Sequence, residues 1–128
     1  MRNRDAIYTE MTKMFGTVPS FFKLVPDNLL ENEWEMFKAI QVTDTKIPGK
    51  YRDLIGLGIA AATHCPYCAT FHTEMARVNG ANDAELEEAV HYAKQTTGWS
   101  TYLHGMRVDL EQFRREAHQV AEHVRKNR

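Results

Sequence analysis

Little in this sequence belongs to a β protein, a membrane protein or a nucleic-acid binder. No segment alternates apolar and polar residues as a half-buried strand requires, and no repeat, low-complexity tract or long linker appears. The longest apolar stretch, Leu54 to Thr63, is too short and too rich in Gly and Ala to span a bilayer. Met1-Arg2-Asn3-Arg4-Asp5 leads into no apolar core of a signal peptide. Acidic and basic residues nearly cancel, for a net charge of -1, and only the tail Arg125-Lys126-Asn127-Arg128 is locally basic. Nucleic-acid binding therefore has no electrostatic support. A soluble protein in the cytoplasm, with no membrane contact, is the default expectation. Cysteine is scarce, two in 128 residues, so no disulfide framework is expected. A chain of this length suits one domain, here residues 1–128, and buries enough core to need no staples.

The two cysteines are what the rest is organised around. Cys65-Pro66-Tyr67-Cys68 places two residues between them, and His72 follows Cys68 by four. Pro66 suits the first position of a helix, where its missing N–H costs nothing. Cys65 is then the N-cap, and both thiols lie near the positive end of a helix dipole, which favours thiolate. Cys68 and His72 share one helix face. A histidine one turn away can move a thiol proton. Two plainer readings compete with this one. Free cysteines are often inert core residues, and Cys-x-x-Cys is half of many zinc sites. The other half of a zinc site is missing, and His118 and His123 fall on a helix that reads as exposed. Redox use of the pair is the favoured reading, with neither metal nor cofactor expected. In a reducing compartment such a pair is more often catalytic than structural.

Helical periodicity covers most of the chain. The first helix runs from Arg4 to Phe15, with Ile7, Met11 and Met14/Phe15 at helical spacing. Val18 to Pro26 reads as a short turn of helix or an extended link. A second helix is predicted from about Asp27 to Val42, with Leu30, Trp34 and Phe37 on one face and Ile40 beside it. The third, about Lys50 to His64, is apolar nearly all round and so should be central. Gly56 and Gly58 cost it propensity, which points to another helix passing close. Asp53 near its start has two readings: a solvated first-turn acid that complements the dipole, or a carboxylate facing the thiol helix. The thiol helix runs from Pro66 to about Val78, with Gly80 as a C-terminal cap residue. Asn82 to Glu85 reads as an N-cap with an acid three residues on, opening a helix to about Gln95. Thr96-Thr97-Gly98 is expected to end it. A short sixth helix with Trp99, Tyr102, Leu103 and Met106 would follow, packed against the site or another subunit, with His104 within it. The last helix, Leu110 to about Arg125, carries a clean stripe of Leu110, Phe113, Ala117, Val120/Ala121 and Val124. An all-α single domain results, which excludes a thioredoxin fold for the Cys-x-x-Cys pair.

Arg52-Asp53-Leu54-Ile55, an Ala-rich run, Cys65-Pro66-Tyr67-Cys68, His72 and Asn79-Gly80-Ala81 follow one another in this order. The set resembles the core of the AhpD-like alkylhydroperoxidases, of the carboxymuconolactone decarboxylase-like superfamily, over about Leu29 to Lys94. The resemblance implies an all-α fold with the Cys-x-x-Cys at the N-terminus of a central helix, and a homo-oligomer, a trimer or hexamer. It implies reduction of small peroxides. Cys68 would attack the peroxide and become a sulfenic acid, Cys65 would close the disulfide, and a dithiol or lipoyl-type reductant would restore the pair. His72 matches the family's histidine, and Asp53 stands where the family usually has glutamate. Three points strain the fit. Dipole reasoning favours Cys65 as the more acidic thiol, Tyr67 replaces a histidine of the best-known member, and Asp53 is one methylene shorter, a gap that water could fill. Two alternatives remain. The lactone decarboxylases of the superfamily as a rule lack the thiol pair, and a stress-associated oligomer would carry the pair as a vestige.

Overall fold

Six α-helices follow one another in the computed structural model, which describes residues 1–128 and contains no strand. The first, α1 (Arg4–Phe15), starts where Asn3 Oδ1 accepts the Ala6 N–H and ends at Gly16 in the left-handed region. A 3-10 turn over Ser20–Leu24 connects it to α2 (Asp27–Phe37). The predicted second helix continues to Val42, but its last five residues, Lys38–Val42, wind as a π-turn. Ile40 there is exposed and does not join the inner face. Arg52 holds this turn by donating to the carbonyls of Ile40 and Thr43, at 2.8 and 2.6 Å.

Helices α3 (Gly49–Thr63) and α4 (Pro66–Val78) form a tight hairpin, and α5 (Asp83–Gly105) packs on the other side of α3. The small residues of α3 allow these approaches. Gly56 faces α4, and Gly58 lies under α5, its ideal Cβ 3.7 Å from the Ala89 carbonyl oxygen and 3.9 Å from the Ala93 Cβ. The expectation that α3 is central holds for its packing on both sides, but Ile55 and Ile59 stay exposed on this chain.

The break at Thr96-Thr97-Gly98 does not occur, and α5 runs unbroken from Asp83 to Gly105. Thr97 Oγ1 donates back to the Ala93 carbonyl at 2.8 Å, and Thr101 Oγ1 to that of Thr97 at 3.0 Å. These hydroxyls bond within the helix rather than capping its end. A lone glycine lowers propensity by about 1 kcal/mol without a stop signal of its own. The predicted start is present, for Asn82 and Glu85 form a reciprocal capping box. The last helix, α6 (Leu110–Lys126), forms as predicted, but its apolar stripe packs into no core, and no residue of the helix is buried.

Two hydrophobic cores result. Ile7, Met11, Phe22, Leu30 and Trp34 fill the space between α1 and α2. Leu57, Ala76, Ala81 and Leu86 form a smaller core among α3, α4 and α5. Phe37 joins them, packing on Phe22 at 5.2 Å and on Phe71 of α4 at 5.9 Å between ring centroids.

Candidate active site

The thiol pair sits where α3 turns into α4. Helix α3 ends on His64, a left-handed residue at φ 59°, and the Cys65 N–H closes the turn onto the Ala60 carbonyl at 3.0 Å. Cys65 is also the N-cap of α4, its sulfur accepting the Cys68 N–H at 3.2 Å. Pro66 occupies the first turn. Both thiols are free, Cys68 exposed and Cys65 half-buried.

Their surroundings treat them differently. The Cys65 thiol is pulled below its ordinary range, chiefly by a hydrogen bond from the Cys68 side chain and then by backbone N–H groups of Cys68 and Tyr67. The Cys68 thiol is pushed up, chiefly as the partner of Cys65 in that bond and then by desolvation. These surroundings favour thiolate at Cys65 more than at Cys68.

His72 stands one turn beyond Cys68 on α4 and is largely shielded from solvent. Its Nδ1 lies 3.1 Å from Asp53 Oδ1. Asp53 is 3% exposed, so it is not a solvated first-turn acid. Its other oxygen, Oδ2, accepts from Asn79 Nδ2 at 2.9 Å, and Asn79 donates also to the Met75 carbonyl at 3.1 Å. Both carboxylate oxygens thus bind side chains of the thiol helix or its cap. With Nδ1–H donating to the carboxylate, Nε2 is the basic nitrogen of the ring. Phe71 packs edge-on against the ring at 5.3 Å.

The shortness of Asp53 is met by geometry rather than by a bridging water. A Cβ built on Gly56 would fall 2.5 Å from Cε1, Nδ1 and Nε2 of His72. No real side chain tolerates that approach, so the bare glycine lets the ring settle against α3, within reach of an aspartate. Asn79 and Gly56 are the site residues that reading the sequence missed. Asn79-Gly80 read as a helix end, and Asn79 is indeed the C-cap residue ahead of Gly80 at φ 95°. Gly56 lies three residues after Asp53, one turn along the same face. That spacing was the available signal.

Other candidates lie elsewhere. His104 accompanies Trp99, Leu103 and Phe113 in a cleft between the end of α5 and the start of α6, which no thiol-site residue lines. His118 and His123 are exposed on α6. No three His, Cys, Asp or Glu side chains converge as a ligand set, and no helix is long and apolar enough to cross a membrane.

Comparison with known proteins agrees with this architecture. A protein of Paracoccus denitrificans described as uncharacterized protein 4 in the cox locus is 30% identical over 75 residues, which covers 59% of this chain and 68% of that protein. The crystal structure of the alkylhydroperoxidase AhpD core from Rhodospirillum rubrum superposes with a TM-score of 0.73 at 24% identity, covering 85% of this chain and 84% of the other. That likeness is one of fold. Residues 29–111, which carry α3, α4, α5 and every residue of the site, match the carboxymuconolactone decarboxylase family model, and the chain belongs to that family, with an AhpD-like all-α fold.

Proposed function

We propose that residues 1–128 form a single-domain thiol peroxidase of the alkylhydroperoxidase type, a homo-oligomer working in a reducing compartment such as the cytoplasm. One observation carries the reading: a Cys-x-x-Cys pair with one thiol exposed stands at the start of α4, and one turn on, a histidine is held by a buried aspartate. The Rhodospirillum rubrum protein of the same fold is an alkylhydroperoxidase core, in agreement with it.

In this reading His72 Nε2 takes one proton from the thiol pair. The remaining charge is shared across the hydrogen bond between the sulfurs. Cys68, the more exposed, attacks an oxygen of the hydroperoxide. The S–O bond forms as the O–O bond breaks, sulfur gives up two electrons, and the shared proton settles on Cys65. The departing alkoxide collects the proton held by His72 and leaves as alcohol. Cys65 then attacks the Cys68 sulfenic sulfur, the disulfide forms, and hydroxide leaves with the Cys65 proton as water. A dithiol of lipoyl type returns two electrons and two protons and becomes a disulfide itself. Sulfur carries all the electrons, so no cofactor is needed. Asp53 and Asn79 act through His72, as positioning residues.

Intact mass after mild peroxide should fall by about two protons per chain. Cys68→Ser should be inactive, and Cys65→Ser should reduce one equivalent of peroxide and stall as the sulfenic acid. Rates should fall in the order wild type, Asp53→Asn, His72→Ala. Unchanged mass, with no peroxide consumed under any dithiol, overturns the proposal. The lowered pKa of Cys65 favours a second reading in which the thiols exchange roles. A single turnover by Cys68→Ser and none by Cys65→Ser selects it.

A further inference from the structure

Helix α6 is built to be covered, and beyond Leu110 and Phe113, which share a cleft with the end of α5, little in its own chain covers it. Leu110, Phe113, Ala117, Val120, Ala121 and Val124 fall within about 100° of its circumference at 100° per residue. Phe113, Val120 and Val124 are 44, 62 and 47% exposed. The accessible surface of the chain is 9834 Å², whereas a folded monomer of its 14.8 kDa should expose roughly 7,000 Å². The excess, roughly 2,900 Å², is several times the roughly 800 Å² that each partner loses in a standard interface. An excess of that size fits a protomer that both gives an arm and receives one.

A receiving surface exists on the same chain. Between α3 and α5 lies an open groove of about 570 Å³, floored by Gly58, Ala89 and Ala93 and flanked by Ile55 and Ile59. The small floor residues let a helix approach closely, and the two isoleucines, 51 and 59% exposed, need a partner. Glu88 lines this groove and forms no ion pair within the chain, while Glu85 beside it is tied to Lys50. On α6, Arg114 and Arg125 border one side of the apolar stripe and pair only with exposed glutamates three residues earlier on the same helix. An apolar stripe with a basic edge thus faces an apolar groove with an acidic edge.

We propose that α6 of each protomer docks in the α3–α5 groove of a second copy of this chain. This deepens the homo-oligomer reading and is independent of the thiol chemistry. The test is light scattering on the full-length protein at about 10 μM, with helicity by circular dichroism as the check on folding. The wild type should be an oligomer. Phe113→Asp with Val120→Asp on the arm, and Ile59→Glu in the groove, should each weaken assembly at least about tenfold, the effect of losing one well-buried contact. Glu88→Arg should weaken it less, and Arg114→Glu with Arg125→Glu in that background should restore part of the loss. A monomeric wild type overturns both the oligomer and the docking. An oligomer unmoved by the arm variants overturns the docking alone. Loss of assembly in the arm variants, with Ile59→Glu unaffected, overturns the groove as the seat of α6.

Discussion

The core between α1 and α2 is filled by Ile7, Met11, Phe22, Leu30 and Trp34, whereas the core beneath the thiol helix consists of Leu57, Ala76, Ala81 and Leu86. The first works by volume. Trp34 is fully buried, crossed edge-on by Phe15 and Phe22, each at 5.6 Å. The second works by thinness. Its alanines, with Gly56 and Gly58 of α3, bring backbones close enough for a short aspartate on α3 to meet a histidine on α4. Large side chains bury more apolar surface and stabilise more. Small ones bury little, and they leave Ile55 and Ile59 without cover. Stability is concentrated in the aromatic half, and chemistry in the half where the helices press together.

Trp34→Ala breaks the comparison from the aromatic side and should have the largest effect. Truncating a fully buried tryptophan costs about 3–5 kcal/mol. Denaturant unfolding should register that loss, while single-turnover peroxide reduction in the folded fraction stays near wild type. A cost below about 1 kcal/mol would show that this core is not the main support.

Gly56→Ala breaks it from the other side. Helix propensity alone would stabilise the variant by up to about 1 kcal/mol. The new methyl meets the His72 ring, so we expect a net loss of about 1–3 kcal/mol from overpacking and a single-turnover rate as low as that of His72→Ala. Higher stability at full rate would mean that the ring does not need the glycine.

Asn79→Ala should act more gently on the same cluster. It leaves Asp53 Oδ2 buried and unpaired, at about 1–3 kcal/mol. Stopped-flow rates should fall, but by less than in Asp53→Asn, because Oδ1 keeps His72. A rate equal to wild type removes Asn79 from the positioning group.

The smallest effect concerns pH and belongs to the aromatic half. Glu10 is held down to about 2, from 4.5, chiefly by hydrogen bonds from Lys38 and then Arg2; Trp34 Nε1 also donates to it at 3.2 Å. Its folded pKa lies below the unfolded one, so its contribution is complete above about pH 5 and lost as pH falls towards 2. Unfolding free energy should drop through that window in the wild type and drop less in Glu10→Gln. Equal slopes would show that solvent screening cancels the ion pairs.

Local order was readable along the chain because it depends on near neighbours. Cys65 and Asn82, predicted as N-caps, each accept an N–H three residues on. Pro66 opens α4, and Gly80 follows its end in the left-handed region. The adjacency of Cys68 and His72 follows from helical pitch alone. What depends on distant residues was not readable. Whether Asp53 faced water or the thiol helix was settled only when α3 folded back on α4 and Asn79 arrived from the far end of that helix. Thr96-Thr97-Gly98 looked like a break because threonine and glycine disfavour helix; in the fold the hydroxyls bond within the helix, and α5 continues. The stripe on α6 was plain in the sequence, as was its helix, since both need only a period of 3.6. Where that stripe goes is a matter of packing partners, which periodicity does not specify, and within this chain only its start, at Leu110 and Phe113, meets any.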